Sequence, residues 1–69
     1  MYIIQEIQTN NGQSALLTPI TKEDKLVAES EWHTKMGYAA ISNVQVHTVI
    51  MYDEHGNMEK RGYYEHNEA

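Results

Sequence analysis

Hydrophobic and polar positions alternate towards both ends of the chain and recur every three to four residues in its middle. Residues 2–9 alternate and are rich in isoleucine, which is typical of a strand. Asn11-Gly12 follows, and this dipeptide favours a two-residue type I′ hairpin turn. We therefore expect residues 14–20 to form the returning strand. Pro19 near its end indicates an edge position, because proline cannot donate to a neighbouring strand.

The middle of the chain, residues 21–41, predicts a single long helix. Thr21 can cap its first turn through the hydroxyl group, and Asp24 three residues later completes a variant of the capping box. Gly37 is a weak point, since glycine costs roughly 1 kcal/mol relative to alanine inside a helix, unless it permits the close approach of another backbone. Ser42-Asn43 is expected to end the helix. The apolar stripe that should face the core is Ala28, Trp32, Met36, Ala39 and Ala40.

A second hairpin is predicted from residues 44–52 and the turn at residues 53–57, and two registers are open. With Gly56 in the left-handed position of a bulged loop, Tyr52 faces Met58 and Val46 faces Tyr64. A symmetric two-residue turn would pair Ile50 with Arg61 and Val46 with Glu65 instead. We expect the bulged register, because it gathers apolar residues on one face.

That register predicts which face of the sheet the helix covers. The covered face would carry Val44, Val46, Ile50, Tyr52, Met58 and Tyr64. The uncovered face is partly apolar, and we predict that it is an interaction surface. Its candidate contact residues are Tyr2, Ile4, Leu17, His47, Val49, Met51, Glu59, Arg61, Tyr63 and Glu65. In the first hairpin, the turn would place Ile7 opposite Leu16 and Ile3 opposite Ile20.

These elements predict an α+β fold, ββαββ, in which one helix packs on one face of a four-stranded antiparallel sheet. Residues 1–66 would form a single domain, and residues 67–69 a flexible tail. The expected strand order is 2-1-3-4, which makes every pair of neighbours antiparallel. In the alternative order, the second and third strands pair in parallel through a right-handed crossover.

Length, cysteine content and net charge limit the classes of function that the chain could have. The chain has 69 residues and no cysteine, so its single core is small and has no disulfide to supplement it. Self-association is the simplest way to bury more apolar surface, and we therefore expect a homodimer. A net charge of −5 argues against direct binding of nucleic acid through phosphates and suits a basic partner. The first residues resemble neither a signal peptide nor a membrane span, so a cytoplasmic protein without membrane contact is expected.

The histidine, serine and acidic residues do not show the spacings of known catalytic or metal-binding motifs. The four histidines show no H-x-x-x-H or H-E-x-x-H spacing, and no serine has a G-x-S-x-G context. The acids of the Asp53-Glu54 turn should be too well solvated for acid–base catalysis. We therefore expect no enzyme, no cofactor and no metal site.

Two other kinds of function stay open. The aromatic rings of Tyr38 and Tyr63, with Lys35 and Arg61 near them, could hold a small molecule or nucleotide at a dimer interface, so that the protein would act by sequestering it. The second possible function is that of an acidic protein that mimics nucleic acid, although the acidic residues do not form a regular stripe.

The segment from Ala28 to His66 resembles a group of short proteins encoded by gut Firmicutes and by their phages or conjugative elements. The resemblance lies in the Ala28-Glu29-Ser30 start, His33, Ala39-Ala40, Ser42-Asn43-Val44, Val46-His47 and the Gly56 hairpin. It carries no functional residues over to this chain. It implies a setting among the accessory genes of mobile elements, where small acidic proteins often act by binding. The resulting hypothesis is a non-catalytic homodimer that occupies a basic or apolar surface of a host protein, for example as a counter-defence inhibitor.

Overall fold

The computed structural model describes residues 1–66 as five strands and one helix. They are β1 (Tyr2–Asn10), β2 (Gln13–Leu16), β3 (Ile20–Lys22), α1 (Lys25–Ile41), β4 (Val46–Asp53) and β5 (Met58–Glu65). All paired strands are antiparallel, in the order β2-β1-β4-β5, and β3 also pairs with β1. The predicted α+β fold is confirmed, with five strands where four were expected. The predicted tail at residues 67–69 lies outside the described residues.

The extra strand arises because the returning strand of the first hairpin is interrupted. Asn11 and Gly12 have φ angles of 54° and 78°, as a type I′ turn requires, and Ile7 pairs with Leu16 as predicted. Residues 17–19 then leave the ladder, since Pro19 has no N–H to donate. The chain re-enters one residue out of the predicted register. Ile20 therefore lies opposite Ile4 rather than Ile3.

The helix begins later than predicted. The backbone N–H groups of Leu26 and Val27 donate to the Asp24 carboxylate at 2.8 and 3.1 Å, which makes Asp24 the N-cap. Thr21 is instead paired with Ile3 in β3, so its predicted capping role is wrong. The predicted end is confirmed, with Ser42 as the C-cap. No helix among the described residues is long and apolar enough to cross a membrane.

The helix covers the face of the sheet that was predicted to be open. Ile4, Val49 and Met51 form the core with Ala28 and Ala39 of the helix, and all five are at most 2% exposed. Trp32 and Met36 of the predicted stripe pack against this core. Because side chains alternate along a strand, the residues between the buried ones point away from the helix. Val46, Ile50, Tyr52 and Met58 thus lie on the open face, contrary to the prediction.

A bulge in the second hairpin separates the predicted register from the observed one. Tyr52 pairs with Met58 as expected, but β5 then contains one extra residue, Glu59, and Met51 pairs with Lys60. From there on the strands follow the register that was rejected, with Val46 opposite Glu65. A shift of one residue sends every later side chain of a strand to the other face.

Gly62 makes room for the helix in the middle of the edge strand β5, on the covered face. It lies opposite Val49, whose carbonyl oxygen accepts a hydrogen bond from the Trp32 indole N–H at 3.0 Å. A Cβ atom at Gly62 would lie 2.7 Å from Cε of Met36 and 3.2 Å from Cζ2 of Trp32. The Lys60 Nζ sits 5.5 Å from the centre of the Trp32 ring, within range of a cation–π contact.

The turn between β4 and β5 is held by the carboxylate of Asp53. It accepts the backbone N–H groups of His55 and Asn57, both at 2.9 Å, and the side-chain amide of Asn57 at 3.1 Å. These donors, those of Asn57 above all, hold the pKa of Asp53 below its ordinary value of 3.8. Gly56 has a φ of 86°, which confirms its predicted left-handed conformation.

We predict that Gly62→Val lowers the midpoint of thermal unfolding, because its side chain would collide with Met36 and Trp32. The loss should be in the range of about 1–3 kcal/mol that is typical of overpacking. Truncating the neighbour in the double variant Gly62→Val/Met36→Ala should cost less than the sum of the two single changes. Strictly additive losses would show that Gly62 and Met36 do not compete for space.

The lowered pKa of Asp53 predicts how the turn responds to acid. A carboxyl group whose pKa is lower in the folded state stabilises that state above its unfolded pKa of 3.8, and the contribution is lost as the pH falls through the folded value. We expect an NMR titration to place Asp53 below 3.8 and Asn57→Ala to move it upwards. Because the backbone N–H of residue 57 is retained, a pKa of Asp53 that does not respond to Asn57→Ala would contradict the role of the Asn57 side-chain amide.

Candidate functional site: the open face of the sheet

The predicted contact residues divide between the two sides of the sheet. Tyr2, Ile4, His47, Val49 and Met51 lie on the side covered by the helix, so their predicted place on an open face is wrong. The physical reason is that the helix packs over Gly62 on the face that contains them. Tyr2 is partly buried, and the other four are interior residues, so that only unfolding would make Ile4, Val49 or Met51 available to a partner.

The other predicted contact residues lie at or near the surface. Arg61, Tyr63 and Glu65 pair with open-face residues of β4 and point away from the helix. Glu59 occupies the bulge, and its carboxylate is 3.4 Å from Nζ of Lys25 at the start of the helix. Leu17 is half-buried in the connection between β2 and β3, where its N–H donates to the carbonyl of Glu6 at 3.0 Å.

The side of the sheet that points away from the helix, which we call the open face, is mostly apolar and is interrupted by Gln5 and Thr48 in its central strands. Its apolar strand residues are Ile3, Ile7, Leu16, Val46, Ile50, Tyr52, Met58 and Tyr63. Leu16, Met58 and Tyr63 at its borders are 72, 56 and 52% exposed. Sequence reasoning grouped several of these residues correctly but placed them under the helix. Gly62 was the available signal, since a glycine inside a strand often marks the close approach of another element.

The open face is almost free of charge. Among its described strand residues, Arg61 and Glu65 are the charged ones, and their formal charges cancel. The excess of acidic residues therefore lies elsewhere, on the helix side and in the turns. Another protein can cover an apolar and neutral surface without burying unpaired charges.

The edges of the sheet are less suited to contact than its face. On one side, β2 and β3 are short and are separated by the break at Pro19. On the other, β5 carries the bulge at Glu59, and Lys60 points inwards to Trp32. Short strands, proline, bulges and inward-pointing lysines are the devices that keep edge strands from pairing with other chains.

A polar cluster lies beneath the helix beside the apolar core. Nε2 of His47 is 3.0 Å from a carboxylate oxygen of Glu6, and His47 is 4% exposed. Its Nδ1 atom is buried without a hydrogen-bond partner. Lys35 Nζ lies 3.9 Å from both Glu6 and Glu31. Lys35 and Glu31 are partly exposed at the border of the cluster, but His47 itself is enclosed by protein, so the interface role predicted for it does not fit its position.

The residues that were predicted to hold a small molecule or nucleotide do not come together within one chain. Tyr38 lies on the exposed side of the helix and Tyr63 on the opposite side of the molecule, so the two rings do not meet within one chain. Residues 1–66 contain no detectable pocket and no group of three histidine or acidic residues that could hold a metal ion.

The enclosed hydrogen bond between Glu6 and His47 predicts a specific stability effect. Glu6→Ala would leave both ring nitrogens of a buried histidine without a partner, which should lower the free energy of unfolding by about 1–3 kcal/mol. Glu6→Gln keeps an acceptor and should recover most of that loss. Glu31→Ala removes the other acidic neighbour of Lys35 and serves as the control in urea unfolding. Equal stability of Glu6→Ala and the unmodified chain would contradict the assignment.

The chain matches no protein-family model, no curated protein and no solved structure. Its function is therefore inferred from its own residues and surfaces.

Proposed function

We propose that this chain is a small non-catalytic binding protein that forms a homodimer by pairing the open faces of two sheets. The observation that carries the proposal is the neutral, apolar open face, which no described element covers. The largest apolar patch of a small protein is often functional, and a patch of several hundred square ångströms is typical of a surface that contacts another macromolecule.

The size of the open face suits a dimer. An eight-residue strand is about 26 Å long, and four strands side by side span about 19 Å, which gives a face of roughly 500 Å² in projection. Side-chain relief adds to this area. Stable interfaces bury about 800 Å² on each partner, so the whole face, with its borders at Leu16, Met58 and Tyr63, is of the scale that a stable dimer needs.

The limited core of a single chain supports the same proposal. Among the described residues, five hydrophobic residues are fully buried, and the chain has no disulfide to restrict its unfolded state. Chains of this size usually need additional buried surface to become stable. Two sheets packed face to face would provide it, with their inner side chains interdigitating as in a β-sandwich.

Acidic residues outside the open face would remain available to a second protein in such a dimer. Glu23 is exposed in the loop before the helix and Glu54 in the turn between β4 and β5, and the net charge of each chain is −5. Such a surface attracts a basic partner at long range. Together with the resemblance to proteins of phages and mobile elements, this supports a cytoplasmic protein that occupies a basic or apolar surface of a host protein, as a counter-defence inhibitor would.

Two neighbouring residues provide a sharp test, because Ile50 and Met51 face opposite sides of the sheet. Ile50→Lys places a charge in the middle of the open face and should convert the dimer to a folded monomer. Met51→Lys places the same charge in the core, where it should unfold the chain. The measurements are sedimentation velocity over the micromolar range and circular dichroism.

Ser30→Lys is the matched control, since Ser30 is exposed on the helix, which covers the other side of the sheet. It should leave both the dimer and the fold unchanged. If the unmodified chain sediments as a monomer at every concentration, the homodimer is ruled out. If Ile50→Lys stays dimeric, the dimer uses another surface.

A further inference from the structure

The two charged residues of the open face lie on one strand and have opposite signs. Arg61 and Glu65 both belong to the edge strand β5, and both are exposed. They are four residues apart, which is about 13 Å along an extended strand and too far for them to pair with each other. Within residues 1–66, neither forms an ion pair with any other residue. Both charges are therefore available to a partner.

The polar and apolar residues of the open face follow an order that reads alike in both directions. Along β4 an apolar, a polar and an apolar residue follow one another on this face, namely Ile50, Thr48 and Val46. The residues paired with them on β1 have the opposite order, namely Gln5, Ile7 and Thr9. On β5 the order is charged, aromatic, charged, with Tyr63 paired to Thr48. Reversing the strand direction changes nothing in this pattern except the sign of the charges.

We infer that the open face takes a second copy of this chain with its strands reversed, and that Arg61 and Glu65 select this partner. The two-fold axis would run across the strands, between the two sheets, at the level of Tyr63. In a two-fold contact, residue i of one copy meets residue j of the other, and j meets i. Arg61 of each copy would thus face Glu65 of the other. The inference rests on the proposed homodimer and specifies its geometry.

The same axis matches the uncharged residues of the open face. Ile50 would lie over Val46 of the second copy, apolar on apolar, and Gln5 would lie over its Thr9, polar on polar. Packed sheets are about 10 Å apart, a distance that an arginine and a glutamate side chain span together. The fourth level of the face would form the border of the contact, and its residues are Ile3, Tyr52 and Met58.

A two-fold axis along the strands would leave the charges without partners. It would place β5 of one copy over β2 of the other, because these strands form opposite edges of the sheet. The residues of β2, Gln13–Leu16, carry no charge. Complementary charges across an interface fix the orientation of the partners. Arg61 and Glu65 therefore favour the axis across the strands.

Reversing each charge tests the inference. Arg61→Glu would place two glutamates against each other at both contacts, and Glu65→Arg would place two arginines there. Each variant alone should form a homodimer about tenfold more weakly or worse, because like charges that face each other across an interface repel. In an equimolar mixture, the new glutamate of one variant faces the new arginine of the other, and each variant's remaining native charge also meets its opposite. The mixture should therefore form a dimer of one chain of each kind.

Native mass spectrometry distinguishes the mixed dimer from the two homodimers by mass, and sedimentation velocity gives the dissociation constants. The mixed dimer should exceed the share that random pairing gives. The double variant Arg61→Glu/Glu65→Arg keeps the net charge and should dimerise like the unmodified chain. Glu29→Arg is the control for net charge, since it lies on the helix and changes the charge as Glu65→Arg does. It should leave the dimer unchanged.

The outcomes separate this inference from the proposed function. If the unmodified chain dimerises but the two variants pair at random, the inference is overturned and the homodimer stands. If the double variant dimerises as weakly as the single variants, the pairing of Arg61 with Glu65 is likewise overturned. If the unmodified chain sediments as a monomer at every concentration, both the homodimer and its inferred geometry fail.

Discussion

The architecture depends on a single missing side chain. Gly62 leaves a depression in the middle of the edge strand β5, and Met36 and Trp32 fill it from the helix. The indole N–H of Trp32 then reaches the carbonyl of Val49 in the central strand β4. Once the helix is placed there, Ile4, Val49 and Met51 become the core. The apolar residues that alternate with them are consequently left facing outwards.

Local signals in the sequence predicted local structure well. The Asn11-Gly12 turn, the left-handed Gly56, the apolar helix stripe and the helix end at Ser42 depend on short-range sterics and hydrogen bonds. The start of the helix was misplaced because two capping residues compete within four positions. Thr21 was drawn into β3 by pairing with Ile3, which left Asp24 to cap the helix.

The assignment of the two faces could not be made from alternation alone. Both sides of β1 and β4 are apolar, so counting hydrophobic residues does not distinguish them. Tyr64 lies on the helix side as predicted, but the extra residue at Glu59 places it opposite His47 instead of Val46. As a result, Arg61, Tyr63 and Glu65 of the candidate site were anticipated, whereas Ile3, Ile50 and the other apolar members were assigned to the core.

The pairing of β1 with β4 also has a consequence for how the chain folds. In the sequence, β1 precedes the helix and β4 follows it. The ladder between these two central strands runs from the pair Tyr2 and Asp53 to the pair Thr9 and Val46. Neither hairpin contains a whole core, since Ile4 belongs to the first and Met51 to the second. Contacts so distant in sequence form slowly, because a long loop must be closed before they bring any gain. We therefore expect the chain to fold as one cooperative unit. Either hairpin on its own would expose apolar side chains on both of its faces and would tend to aggregate.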